Sequence, residues 1–184
     1  YVLKDIPDAV GIAVPSSKHF TRDVGGPTYT LIGPVAGSSG TETNGFQLLK
    51  DSTITLKNGT IRIAEGANNI KRIIQNYANL TLEDMHIYAQ NQQPDENYAL
   101  SFNNGNIVFK GNTSIITTSD DTIAFDVCKF SNYEGVRVTF IDSYTGQING
   151  RIVHDLPDSS NRHLTSHVHG KFVGPEPSPS PPNP

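Results

Sequence analysis

Thr53-Ile54-Thr55-Leu56-Lys57-Asn58-Gly59-Thr60-Ile61-Arg62-Ile63 and, 26 residues later, Asn79-Leu80-Thr81-Leu82-Glu83-Asp84-Met85-His86-Ile87-Tyr88 decide how this chain folds. Each stretch alternates apolar and polar residues, stops at a turn signal (Asn-Gly or Glu-Asp), and alternates again. Strand side chains point to opposite faces in turn, so each half buries one face. The phrase has a third strand before it and recurs twice more. The first unit begins with Phe46-Gln47-Leu48-Leu49 and the second with Ile70 to Ile74. The third runs through Tyr98–Phe102, Asn106–Phe109 and Thr113–Thr117, and the fourth through Ile123–Phe130, Val136–Phe140 and Gln147–Val153.

The central strands start at Ile54, Leu80, Ile107 and Val136, offset by about 26, 27 and 29 residues, which is a solenoid-like period. One unit cannot bury its own apolar side. Stacked units place Ile54, Leu80, Ile107 and Val136 in one row and Leu56, Leu82, Phe109 and Val138 in the next. The expected fold is all-β: a short parallel β-solenoid (β-helix) of about four coils over residues 45–155. A β-sandwich also uses short alternating strands, but does not require strand triplets to recur at a common period.

Outside this body the chain changes character. Residues 1–44 carry Ile-Pro, Val-Pro, Gly-Gly-Pro and Ser-Ser-Gly, and read as an irregular N-terminal arm or cap in which Leu31 and Ile32 cover the first coil. Residues 156–173 read as a C-terminal strand or loop segment. The tail 174–184, Gly-Pro-Glu-Pro-Ser-Pro-Ser-Pro-Pro-Asn-Pro, is expected to be extended, because proline fixes φ and removes donors. It reads as a linker or as a strap on a partner surface.

Composition agrees with many short strands and polar turns. Only 35% of the 184 residues are hydrophobic and 17% charged, both low for a globular domain. The net charge of −4 and the lack of a Lys/Arg cluster argue against nucleic acid as a partner, and no apolar run approaches the length that spans a bilayer. Cys128 is the one cysteine, so no internal disulfide forms; its apolar setting suggests an inert buried thiol. The chain starts at Tyr1 without Met or a signal-like segment, as expected of a processed chain or of part of a longer product.

The run Ala78–Ile87, the run Asn97–Asn106 and the phrase Ile123-Ala124-Phe125-Asp126-Val127-Cys128 resemble β-helical segments in surface-exposed proteins of gut bacteria and their phages, including phage head fibres and capsid-attached proteins. The likeness covers about residues 45–155 and lies in strand and turn phrasing; no catalytic motif comes with it. It implies exposed structural or adhesive work on a virion surface or outside the cell.

Several side chains are candidates for chemistry. Asp120-Asp121-Thr122-Ile123-Ala124 is similar to the aspartate pair of polygalacturonases, where an acid and a water-activating base stand roughly 6.5–9.5 Å apart. The rest of that pattern is missing: Pro94-Asp95-Glu96-Asn97 stands where Asn-Thr-Asp-Gly belongs, and neither Gly-His-Gly nor Arg-Ile-Lys follows. A Ser-Asp-Asp turn accounts for the pair without catalysis, so no catalytic residue is expected. Tyr77, Tyr88, Tyr133 and Tyr144 fall at coil ends, where they stack on sugar rings or cap the core. Arg62, Lys71, Arg72, Arg137 and Arg151 could meet acidic sugars, but solvated strand faces explain them as well. Asn58, Asn79 and Asn112 match glycosylation sequons, and Asn ladders between coils are a sufficient reading of the latter two.

In Arg162-His163-Leu164-Thr165-Ser166-His167-Val168-His169-Gly170, His167 and His169 lie two apart, on one side of a strand. Around a threefold axis they would become six imidazoles, a cage for a transition metal, as in trimeric phage fibres; an exposed strand carrying His by chance is the plainer reading. The whole suggests a non-enzymatic structural protein of a virion, with a bacterial surface adhesin second and a polysaccharide hydrolase or lyase third. Expected partners are two further copies of the chain, a capsid or surface-scaffold protein, and glycans. No resident cofactor is expected.

Overall fold

Alternation makes the strands: in Thr53-Ile54-Thr55-Leu56-Lys57 the two aliphatic residues are buried and Thr53 is exposed. The computed structural model describes residues 4–33, 43–67, 70–90, 98–103, 105–117, 123–127, 137–141, 143–154 and 172–173, with backbone only for 98–103, 123, 125–127, 137, 151–154 and 172–173. In chain order the strands are β1 (Ile6–Ala9), β2 (Ile12–Val14), β3 (His19–Asp23), β4 (Thr28–Leu31), β5 (Asn44–Leu48), β6 (Thr53–Ile63), β7 (Arg72–Asn76) and β8 (Asn79–Tyr88). There follow β9 (Tyr98–Asn103), β10 (Asn106–Lys110), β11 (Ser114–Ile116), β12 (Ile123–Val127), β13 (Arg137–Phe140), β14 (Arg151–His154) and β15 (Phe172–Val173). The described residues contain no helix, and every strand pair among them is parallel.

The strands form two sheets. One runs β1-β4-β6-β8-β10-β13, with β3 also on β6 and β11 also on β8; the other runs β15-β14-β12-β9-β7-β5-β2. From β5 onward the chain visits the second sheet, passes twice through the first, and returns one strand further along. Strands β6 and β8 make both passes without interruption, turning at Asn58 (φ 57°) and Asp84 (φ 51°). Gly111 (φ 57°) makes the equivalent turn between β10 and β11. Asn, Asp and Gly are the residues that enter this left-handed region at least cost.

The register stacks like on like. Ile54, Leu80, Ile107 and Val138 lie side by side, as do Leu56, Leu82, Phe109 and Phe140, and all eight are buried. A third buried row is Ile61, Ile87, Ile115 and Ile148. Each full burial of such a side chain stabilises by about 1.5–3 kcal/mol. The rows approach closely where they turn: a Cβ on Gly105 would collide with the backbone of Tyr77 and Ala78, so only glycine fits there.

Two expectations are corrected. The partner of Ile107 is Val138, 31 residues on, and Phe140 takes the place beside Phe109 that was expected for Val138. A two-residue slip keeps every side chain on its face, so alternation does not distinguish the two registers. The close ring packing of Phe109 on Phe140 (centroids 4.9 Å apart, planes at 12°) goes with the later one.

Residues 1–44 were expected to be an irregular arm or a cap; residues 6–31 are not irregular but supply four strands, a further unit beside the first expected coil. Ile12 pairs with Phe46, Phe20 with Ile54 and Tyr29 with Ile61. Among the described residues the first sheet therefore carries five stacked units rather than about four, and the second sheet continues past them with β14 and β15. Pro7 lies within β1, at an edge of its sheet, where a strand tolerates proline. Leu31 is fully buried as expected, whereas Ile32 is 41% exposed. The tail 174–184 and all of 156–173 except β15 lie outside the described residues.

Candidate functional site

The outward face of β4, β6, β8 and β11 is built by the same register that builds the core. Tyr29, Ile61, Ile87 and Ile115 point inward, so their sequence neighbours point out. Thr28, Thr60, His86 and Ser114 form one outer row; Thr30, Arg62, Tyr88 and Ile116 form the next. His86 Nδ1 and Ser114 Oγ share a hydrogen bond of 2.7 Å across that face.

A groove of about 440 Å³ opens here, lined by Thr28, Thr60, Arg62, Ile63, Tyr88 and Gln90. Ile63 is buried and gives it an apolar floor. Arg62 is exposed, but its guanidinium is oriented: Nε donates to Thr30 Oγ1 at 3.0 Å, and Thr30 is itself buried. That bond leaves the Nη edge, the face that grips a carboxylate or phosphate through two parallel bonds. The ion pairs among the described residues are Lys50–Asp51 and Lys57–Asp23, so Arg62 is in neither. The described lining holds one cation, two hydroxyls, a phenol and an amide, and no carboxylate.

Of the tyrosines singled out by sequence, Tyr88 is half-buried and lines this groove. Tyr77 lies between β7 and β8, half-buried, its backbone N–H donating to the Leu48 carbonyl at 2.9 Å, away from the groove. Tyr144 takes the capping role. It is buried at 7% exposure, its ring 5.0 Å from Phe140 and 6.1 Å from Phe109, and burial pushes its phenol pKa up. Tyr133, the aspartates 120 and 121, Cys128, and His163, His167 and His169 lie outside the described residues.

Of the basic residues, Arg62 lines the groove, while Lys71 and Arg72 lie at the start of β7 and do not. Asn79 is exposed and accepts from the Asn106 side-chain amide at 2.7 Å, a rung of the expected Asn ladder. Among the described residues no group of three or more His, Cys, Asp or Glu side chains is placed to hold a metal.

Sequence reasoning missed Thr28, Thr60, Ile63 and Gln90 as lining residues. Thr60 and Ile63 flank Arg62 at known spacing, so aligning Ile61 with Ile87 would have brought them beside Tyr88. Thr28 belongs to the unit that proline and glycine concealed. Comparison with known proteins finds no match for this chain among protein-family models, curated proteins or solved structures.

Proposed function

We propose that the chain is a short parallel β-helix that serves as a non-enzymatic structural protein exposed on a virion, as a capsid decoration or head fibre, and that it meets carbohydrate through the groove beside Arg62 and Tyr88. The observation that carries the β-helix is the register: five successive units, each displaced by one parallel strand, stack Ile54, Leu80, Ile107 and Val138 in one row. A sandwich built of antiparallel hairpins does not produce such rows.

The virion setting rests on the resemblance of the strand and turn phrasing in the sequence to phage head-fibre and capsid-attached segments. Association is supported by the first unit, where Phe20 occupies the core row of Ile54 yet is 41% exposed, with Val10 and Ile32 at 56% and 41%. A strand edge unpaired among the described residues, beside exposed apolar side chains, favours a partner. We take that partner to be two further copies of the chain or a capsid or scaffold surface; were the association threefold, the pair His167 and His169 would be a candidate for a metal at its axis.

Two measurements test this. Genes for capsid and portal proteins should flank the coding sequence; a precursor with a signal peptide and a cell-wall anchor would instead make the chain an adhesin. In solution the protein should sediment at about three times its 20.0 kDa chain mass, and the double substitution His167→Ala, His169→Ala should loosen it. A monomer unaffected by metal or by those substitutions contradicts the trimer.

A further inference from the structure

We propose that the groove selects saccharides that carry a carboxylate, with Arg62 reading the acid and Tyr88 supporting the ring. This rests on the reading of the groove as a carbohydrate contact and goes beyond it by naming the ligand class. The charge in the described lining is single-signed: Arg62 is its one ionised side chain. Asp5, whose carboxylate accepts from the Thr28 N–H at 2.7 Å, lies outside that lining; within the described lining a neutral sugar would leave Arg62 without a counter-charge, whereas a uronic or sialic acid supplies one.

The geometry favours a planar acid over a diffuse one. Thr30 Oγ1 holds Nε at 3.0 Å, so the guanidinium is oriented before any ligand arrives and loses less freedom on binding. Its remaining nitrogens present the fork that matches a carboxylate in two parallel bonds. Arg62 and Tyr88 are directly opposite in neighbouring strands, about 4.8 Å apart at the backbone. An acid group and the sugar ring that bears it can therefore reach both. Thr28, Thr60 and Gln90 supply hydrogen-bonding groups for ring hydroxyls, and the cavity of about 440 Å³ suits a short oligosaccharide. The site is open, so single-site binding is weak, and several copies on one particle would raise it by avidity.

The test titrates the full chain, followed by NMR or calorimetry, with oligogalacturonate and sialyllactose, with neutral galacto-oligosaccharide and lactose, and with inorganic phosphate. The acidic sugars should bind at least about tenfold more tightly than their neutral counterparts, the worth of one charge-assisted hydrogen-bonded contact. R62Q should abolish that preference while leaving the circular dichroism spectrum unchanged. R62K, which keeps the charge and loses the fork, should retain only part of it. Thr30→Val, which frees the guanidinium, should weaken acidic sugars more than neutral ones, and Y88A should weaken both. Equal binding of acidic and neutral sugars, or of neutral sugars only, overturns the inference and leaves the carbohydrate reading standing. Phosphate binding as tightly as the acidic sugars makes this a general anion site and also overturns it. Binding of no saccharide overturns both readings of the groove, while the virion role stands or falls on its own tests.

Discussion

Phe109 lies flat on Phe140, ring centroids 4.9 Å apart and planes at 12°, with the two residues paired across β10 and β13. Tyr144 closes over the pair from a loop, 5.0 Å from Phe140 and 6.1 Å from Phe109. The aromatic cluster stands in the same row as Leu56 and Leu82 and fills the core where the later units lie.

Phe109→Ala should therefore destabilise the protein by about 3–5 kcal/mol, the cost of truncating a fully buried aromatic. Phe109 is 0% exposed, whereas Phe20, on the neighbouring row, is 41% exposed. Phe20→Ala should cost much less in urea unfolding, and similar losses for the two would contradict the packing.

Thr113 has no exposed surface and ties the corner between β10 and β11. Its hydroxyl proton goes to the carbonyl of Lys110 at 2.8 Å or of Leu82 at 3.1 Å, and its oxygen accepts from the Met85 N–H at 3.2 Å. Thr113→Val keeps the shape and orphans these groups, so it should cost about 1–3 kcal/mol. Thr113→Ser keeps the hydroxyl and should cost less, as measured by thermal or urea unfolding.

Much of the architecture could be read from the residues, and the failures have physical causes. Ile54, Leu80 and Ile107 were assigned to one row because tight turns hold their spacing to 26 and 27 residues. The fourth member was misplaced by two because Val136-Arg137-Val138-Thr139-Phe140 repeats every second residue and offers two registers on one face. The first unit was missed because Pro7 and Pro15 punctuate it, and because Phe20 precedes Ile54 by 34 residues, a longer interval than later ones. Arg62 and Tyr88 were each singled out, but their adjacency follows only from the ladder. The coil-end position of Tyr144 fits sugar stacking and core capping alike in the sequence, and only the packing of its ring on Phe140 and Phe109 decides for the cap.

Asp23 makes a pH-dependent contribution at the first corner. Its carboxylate accepts from the Asn58 side-chain amide at 3.1 Å and the Gly25 N–H at 2.9 Å, with Lys57 Nζ at 3.7 Å. The Asn58 bond, foremost, holds its pKa below the ordinary 3.8. A depressed carboxylate stabilises the fold above its unfolded pKa, and that contribution is lost as pH falls through the lower folded value. The stability difference between wild type and Asp23→Asn should therefore shrink between about pH 5 and pH 2. A difference that stays constant over that range would contradict the assignment.

Gly105 offers a steric check on the stacking. Gly105→Ala would drive a methyl group into the backbone of Tyr77 and Ala78, which cannot move aside as a flexible side chain can. A clear fall in melting temperature is expected, larger than that from Gly66→Ala, where the space is open and the strain is one of φ alone.

The central claim is that successive units stack one strand apart, and a single distance tests it. Thr21, Thr55, Thr81, Val108 and Thr139 are consecutive partners across five strands, and Thr21 and Thr139 are exposed. With neighbouring strands about 4.8 Å apart, the backbones at positions 21 and 139 should be roughly 19 Å apart. Spin labels on Thr21→Cys and Thr139→Cys, in a Cys128→Ser background, make that span measurable by double electron–electron resonance. The stacked account predicts one narrow distribution centred on roughly 20 Å once label reach is added; a distribution centred well beyond 30 Å, or one with no defined maximum, would contradict it.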